Sequence, residues 1–172
     1  MNYWFTSDQH YGHQNIIEYS KRPFDSIEQM NEILITYHNA VVKKNDIVIN
    51  AGDFTLRHNR ESVYRDYINR LNGTQIFLKG SHDYWIPWRH SQQVWERKIK
   101  GHYIVVCHYA MRVWARSHYN SFMLYGHSHG GLPPIGKQHD IGVDNNGFYP
   151  VSFDQIIEIM KKRDDNFNLI RR

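Results

Sequence analysis

Phe77-Leu78-Lys79-Gly80-Ser81-His82-Asp83 decides the reading of this chain. A short apolar run of strand character ends at a glycine and then releases a hydroxyl, an imidazole and a carboxylate in consecutive positions. Polar groups that follow the carboxyl end of a buried strand emerge at the rim of a sheet, where open α/β proteins place their ligand crevices. Gly80 allows the sharp turn such an exit needs. Alone, Gly-x-His-Asp is an ordinary polar strand end. Its weight comes from other runs that end the same way, at Asp8 and His10, at Gly52 and Asp53, at His108, and at His127 with His129.

Working outward, Thr74 to Leu78 is the strand that carries the motif. A helix from Glu61 to Leu71 precedes it, with Val63, Tyr67 and Leu71 on one stripe and Asn72-Gly73 as its stop. Before that, Asp46 to Ala51 is a β-branched run of the kind buried on both faces of a sheet. Ser26 and Gln29 have the form of a capping box, opening an amphipathic helix through Ile27, Met30, Ile33, Leu34, Tyr37 and Val41. Tyr3-Trp4-Phe5 is the first strand. If the chain stays extended past it, Asp8 and His10 project to the same side. Strand, helix, strand, helix, strand is the alternation of an α/β fold.

Beyond Asp83 the texture changes. An aromatic loop, Tyr84 to Arg89, leads to strands at Gln93–Lys98 and His102–Val106, joined across Lys100-Gly101. Arg112 to Tyr119 reads as a loop or short helix, and Phe122 to Tyr125 as another apolar strand. Asp140 to Asp144 reads as one more strand. Ser152 and Gln155 form a second capping box, opening a last helix to about Lys162. Arg171-Arg172 is expected to fray.

With 172 residues and no linker or repeat, the whole chain, 1–172, is expected to form a single domain. Its net charge of +4 and pI of about 9.1 favour anionic partners without the basic stripe of a dedicated nucleic-acid binder. One cysteine, Cys107, excludes an internal disulfide framework and fits a reducing compartment. No run is long and apolar enough to span a bilayer, and Asp8 comes too early to leave room for a cleaved leader, so a cytoplasmic protein is expected. No membrane and no obligate protein partner is expected.

The strand-end groups are Asp8, His10, Asp53, Ser81, His82, His108, His127 and His129. Mixed carboxylates and imidazoles from several strands suit divalent cations. Two such ions about 3.5–4 Å apart share a bridging carboxylate and hydroxide and clamp a phosphoryl group undergoing in-line attack.

Five blocks in this order, Asp8-Gln9-His10, Gly52-Asp53, Gly80-Ser81-His82-Asp83, His108 and Gly126-His127-Ser128-His129, resemble the calcineurin-like metallophosphoesterases, from Asp8 to about Pro150. Ser7 to His13, Arg22-Pro23-Phe24 and Gly142-Val143-Asp144 resemble a small phage and bacterial branch of that family. The resemblance implies a four-layer α/β/β/α sandwich of two mixed sheets with flanking helices, and metals at one edge of the sheets. It implies Asp8, His10 and His129 on a first metal, Asp53 bridging, and His108, His127 and position 81 on a second. His82 would then protonate the leaving oxygen, with Asp83 orienting its ring. The implied cofactors are two divalent ions, manganese first, with Fe, Zn, Ni or Mg as alternatives. Position 81 departs from the pattern: the family has an asparagine amide there and this chain has Ser81. Either water fills the gap, or occupancy and rate fall, or the serine was introduced to slow turnover.

The implied activity is hydrolysis of a phosphomonoester or phosphodiester. Aromatic and guanidinium groups on the surrounding loops, among them Trp85, Trp88, Arg89, Trp114 and Arg116, suit a base and its phosphate. A nucleotide or nucleic-acid end is therefore the expected substrate, with His13, Arg22, Tyr109 and Arg112 as candidate contacts. The alternative is a non-catalytic or attenuated scaffold acting as a binding module. Seven intact site groups stand against it.

Overall fold

The computed structural model describes residues 1–170, so the Arg171-Arg172 end lies outside the described residues. Along the chain come β1 (Tyr3–Thr6), α1 (Ile16–Tyr19), α2 (Ile27–Val41), β2 (Ile47–Asn50), α3 (Arg60–Asp66) and β3 (Thr74–Phe77). The second half holds β4 (Val94–Ile99), β5 (His102–Cys107), β6 (Phe122–Tyr125), β7 (Gln138–Asp140), β8 (Val151–Ser152) and α4 (Phe153–Lys161). Two mixed sheets form, in the orders β3-β2-β1-β8 and β4-β5-β6-β7. In the first, β1, β2 and β3 are parallel and β8 is antiparallel; in the second, β5, β6 and β7 are parallel and β4 is antiparallel.

Alternation along each strand decides which residues meet between the sheets. Phe5, Ile49, Ala51 and Leu78 of the first sheet face Trp95, Ile99, Ile104, Val106, Phe122 and Leu124 of the second. Phe153, Ile156 and Met160 of α4 close one side of this core. The outer face of the first sheet is covered by α1 to α3 through Ile16, Met30, Leu34, Ile35 and Val63, which pack with Phe54, Trp85 and Val143. Val105, Cys107, Met123 and Tyr125 line the outer face of the second sheet, where Trp114 packs on them from the 110–121 segment. Among the described residues no helix is long and apolar enough to cross a membrane.

Several local expectations change for physical reasons. The α3 helix stops at Asp66 and continues only as a 3₁₀ turn, Ile68–Arg70. At the start of α2, Ser26 accepts the Gln29 amide, but the Gln29 side chain bonds Asp25 N rather than Ser26 N. Both halves of the box form at Ser152 and Gln155. The run from Asp140 to Asp144 is not one strand. Ile141 N still bonds Tyr125 O of the second sheet, whereas Val143 N bonds Ser7 O at the end of β1. The chain there crosses from one sheet to the other and turns through Val143–Asn145, which carries Asp144 to the strand ends.

Candidate metal centre

All the candidate ligands follow strand ends, but the backbone that carries them is not extended. Asp8, His10, Asp53, His127 and His129 have φ of 60°, 56°, 52°, 68° and 44°. They are half of the ten non-glycine residues with positive φ among the described residues. Each such residue costs on the order of 1 kcal/mol, so half the left-handed strain is concentrated at one place. The expectation that Asp8 and His10 share a side through an extended chain is therefore replaced by two successive left-handed turns. Bonds between neighbouring loops hold these turns: Asp8 N to Gly52 O at 3.0 Å, His10 N to Asp53 O at 3.1 Å, and His127 N to the Asp8 carboxylate at 3.0 Å. Gly80 owes its place to close approach: a Cβ there would lie 2.3 Å from Asp53 N and Oδ1.

The side chains gather into two triads. Asp8, His10 and His129 form one, and Asp53, His108 and His127 the other, with one ligand atom from each residue lying within 4.8 Å of the others in its triad. Asp53 Oδ2 sits between them, 3.8 Å from His10 Nε2 and 3.4 Å from His108 Nε2. His108 Nδ1 is 3.0 Å from Ala51 O, a carbonyl that can only accept, so Nδ1 carries the proton and Nε2 keeps its lone pair. His129 Nδ1 lies 2.7 Å from Asp144 Oδ2, with the same consequence for its Nε2. His10 Nε2 and His108 Nε2 are buried without a hydrogen-bond partner. An unpaired buried nitrogen costs about 1–3 kcal/mol, and a divalent cation uses its lone pair. The residues present therefore fit the metals the resemblance implies.

Electrostatics agree with that fit. Burial pushes the Asp8 carboxyl up to about 7, against the pull of His108 and His129, and pushes the His10 imidazole down to about 3 despite Asp53. At Asp53 burial also works upward, but the adjacent His108, the His82 amide and His10 outweigh it and hold the carboxyl below its ordinary range. Burial opposes charge on His108 and His129, yet Asp53 and Asp144 respectively prevail and raise both. Carboxylates that favour a proton on these rings also favour a cation in the proton's place.

Asp83 does not orient His82. Its buried carboxylate accepts from Asp53 N at 2.7 Å, Phe54 N and Gly80 N at 2.9 Å, and Trp85 Nε1 at 3.1 Å. A carboxylate just inside a turn bonds the nearest free amides, so Asp83 ties the loop after β2 to the loop after β3. His82 is partly exposed in the cleft, with Nε2 3.9 Å from Asp53 Oδ2 and its backbone N donating to Asp53 Oδ1 at 2.8 Å. The Ser81 hydroxyl donates to both Asp53 oxygens, at 3.1 and 2.9 Å.

The centre lies in an open cleft of about 630 Å³ lined also by His13, Ile16, Tyr19, Ser20, Lys21 and Leu56. Of the expected substrate contacts, His13 lines it, its ring 5.4 Å from that of His10 and 6.2 Å from that of His82. Tyr109 is half exposed, edge-on to His108 and His127 at 4.8 Å. Arg22 and Arg112 are corrected. The Arg22 side chain is 0% exposed and bonds Asp144, Asp8 O and Gln9 O. Arg112 lies over the Phe167 ring in a groove on the outer face of the second sheet. Trp85 and Trp114 are core residues, and Trp88 is exposed beside Lys79. Asp144, Lys21, Tyr19 and Leu56 were missed. The Gly142-Val143-Asp144 block was the signal available for the first, and nothing in the local sequence marked the others.

The chain is similar to a solved structure, a protein of unknown function, AQ665, from Aquifex aeolicus, with a TM-score of 0.70 at 22% identity, covering 92% of this chain and 98% of that one. That likeness supports the fold. An uncharacterised protein of Methanocaldococcus jannaschii, MJ1445, is 29% identical over 92% of this chain and 91% of its own length. The Gene 66 protein of Mycobacterium phage L5 is 30% identical over 48% of this chain and 40% of its own length. The family model for calcineurin-like phosphoesterases matches residues 1–169, and the chain belongs to that family.

Proposed function

We propose that this chain is a dinuclear metal-dependent phosphodiesterase acting on a nucleotide or a nucleic-acid end. Family membership and the two ligand groups support a metal-dependent phosphoesterase in general. The observation that carries the dinuclear reading is the place of Asp53 Oδ2 between His10 Nε2 and His108 Nε2, where one carboxylate can serve two cations. When bound, a pair of divalent ions neutralises phosphoryl oxygens and lowers the pKa of an attacking water.

The chain's own residues supply the rest. His82, partly exposed to the cleft beside Asp53, is placed to give a proton to the leaving oxygen, and His13 stands next to it. Asp53 is oriented by the His82 amide and the Ser81 hydroxyl, and its loop by Asp83. Among the described residues Lys21 is the one lysine or arginine along the cleft, whereas Ile16, Tyr19 and Leu56 give it an apolar wall. One side-chain cation with apolar surface suits the single charge of a diester better than a monoester dianion. Tyr19 and Tyr109, both exposed, can stack on a base.

The reading is tested by supplying manganese and comparing an aryl phosphodiester with the matching monoester. Faster turnover of the diester, lost on chelation, is expected. Preference for the monoester overturns the substrate assignment. Full turnover after chelation overturns the metal assignment.

A further inference from the structure

We infer that Arg22 and Asp144 form a buried positioning pair that makes the Asp8, His10, His129 position the tighter of two unequal metal positions. The inference rests on the metal reading above and goes beyond it. Arg22 grips Asp144 with two bonds of 2.8 Å, from Nε and Nη2, and its side chain has no exposure to solvent. Two further guanidinium bonds go to the backbone that presents the first ligand, Nη2 to Asp8 O at 2.7 Å and Nη1 to Gln9 O at 2.9 Å, and Nη1 also meets Met30 Sδ at 3.4 Å. Asp144 in turn accepts from His129 Nδ1 at 2.7 Å. The Ser20 hydroxyl lies 3.3 Å from the same nitrogen, a longer contact that leaves the carboxylate as the stronger partner.

One guanidinium thus links two ligands that lie 121 positions apart in the chain, Asp8 through its carbonyl and His129 through a carboxylate. Both have left-handed backbone, which drifts unless something holds it. The proton on His129 Nδ1 turns Nε2 into the lone pair that faces the centre, and a carboxylate behind a ligating imidazole raises its basicity. At the other position, His127 is exposed, and its ring contacts are the edges of Tyr109 and His108. Ser81 spends its hydroxyl on Asp53 there. One position is braced from behind by a buried ion pair, and the other has an exposed histidine and is completed by fewer protein groups.

The test uses chelator-stripped full-length protein titrated with Mn²⁺ by calorimetry, beside Asp144→Asn and His127→Ala. Two steps of unequal affinity are expected for the unaltered chain. Asp144→Asn should weaken the tight step by about 10–100-fold and leave the weak step in place. His127→Ala should remove the weak step alone. Nitrogen-detected NMR of the histidines, on metal-free unaltered protein above the imidazole titration range, should show His129 as the Nδ1–H tautomer. That measurement needs no variant, so it stands even where Asp144→Asn fails to fold. Two steps that Asp144→Asn leaves untouched or weakens alike, or an Nε2–H tautomer at His129, overturn the inference while sparing the metal reading. No Mn²⁺ binding to the unaltered chain overturns both.

Discussion

The two halves of the centre share Asp53 and differ in almost everything else. Around Asp8, His10 and His129 the ligands are buried or half-buried, and Arg22 and Asp144 stand directly behind them. Around Asp53, His108 and His127 no such pair stands behind the ligands, His127 is exposed, and Tyr109 stands beside it. The difference follows from chain path. The first half collects the ends of β1 and β6 and the crossing segment at Val143–Asn145, where the two sheets are laced together. The second half collects the ends of β2, β5 and β6, with the loop after β3 beside it. A rigid half suits holding a cation; an open half suits exchanging one and admitting substrate.

The largest expected effect comes from breaking what the halves share. Asp53→Asn removes the carboxylate between them, and hydrolysis should fall to near background with loss of bound metal, as metal content and turnover on one sample would show. Near-normal turnover would mean that the halves do not cooperate through Asp53. Next comes His82, which belongs to neither half. His82→Ala should keep both metals and slow turnover by about 10²–10⁴-fold, more for poor leaving groups than for activated esters. Equal slowing of both kinds of ester would remove it from proton transfer.

Acid should separate the halves. Burial raises the Asp8 carboxyl to about 7, so below about pH 7 a cation there must displace a proton, and its affinity should drop about tenfold per pH unit. Asp53 is held below the ordinary carboxylate range, so at the open position the raised His108 ring is the competing group, whereas at the braced one Asp8 and the raised His129 ring both compete. Calorimetric titrations from pH 8 to about pH 5.5 should therefore show the braced step weakening more steeply. Parallel slopes would remove the electrostatic distinction. The smallest effect addresses the open half. Ser81→Asn offers an amide oxygen in place of a hydroxyl already committed to Asp53, and should tighten the weak step and raise turnover by about tenfold. No change in either would show that this half is completed without that side chain.

Much of this was legible in the chain because the chemistry sits at strand ends and buried strands are easy to see. Asp46–Ala51 and Phe122–Tyr125 are apolar runs too short for helices, and the ligands follow directly. The α/β class follows from the same alternation, whereas the two sheets with flanking helices are implied by the family resemblance. What sequence reasoning could not supply was side-chain direction at a turn. Asp83 looked like a partner for the ring beside it, but a carboxylate inside a tight turn bonds backbone amides closer than that ring. Arg22 looked like a substrate contact because arginine favours phosphate, yet its partner Asp144 lies 122 residues away, a pairing that no local pattern reveals. β8, two residues after a proline, carries too little pattern to be seen at all.

The central claim is that two cations bind side by side across Asp53. Electron paramagnetic resonance of the Mn²⁺-loaded protein, with metal content measured on the same sample, tests it most directly. The account predicts two manganese ions per chain with a spin-coupled spectrum, preceded in the titration by an isolated-ion signal as the braced position fills first. One ion per chain at saturation, or two ions whose spectra stay uncoupled, would contradict it.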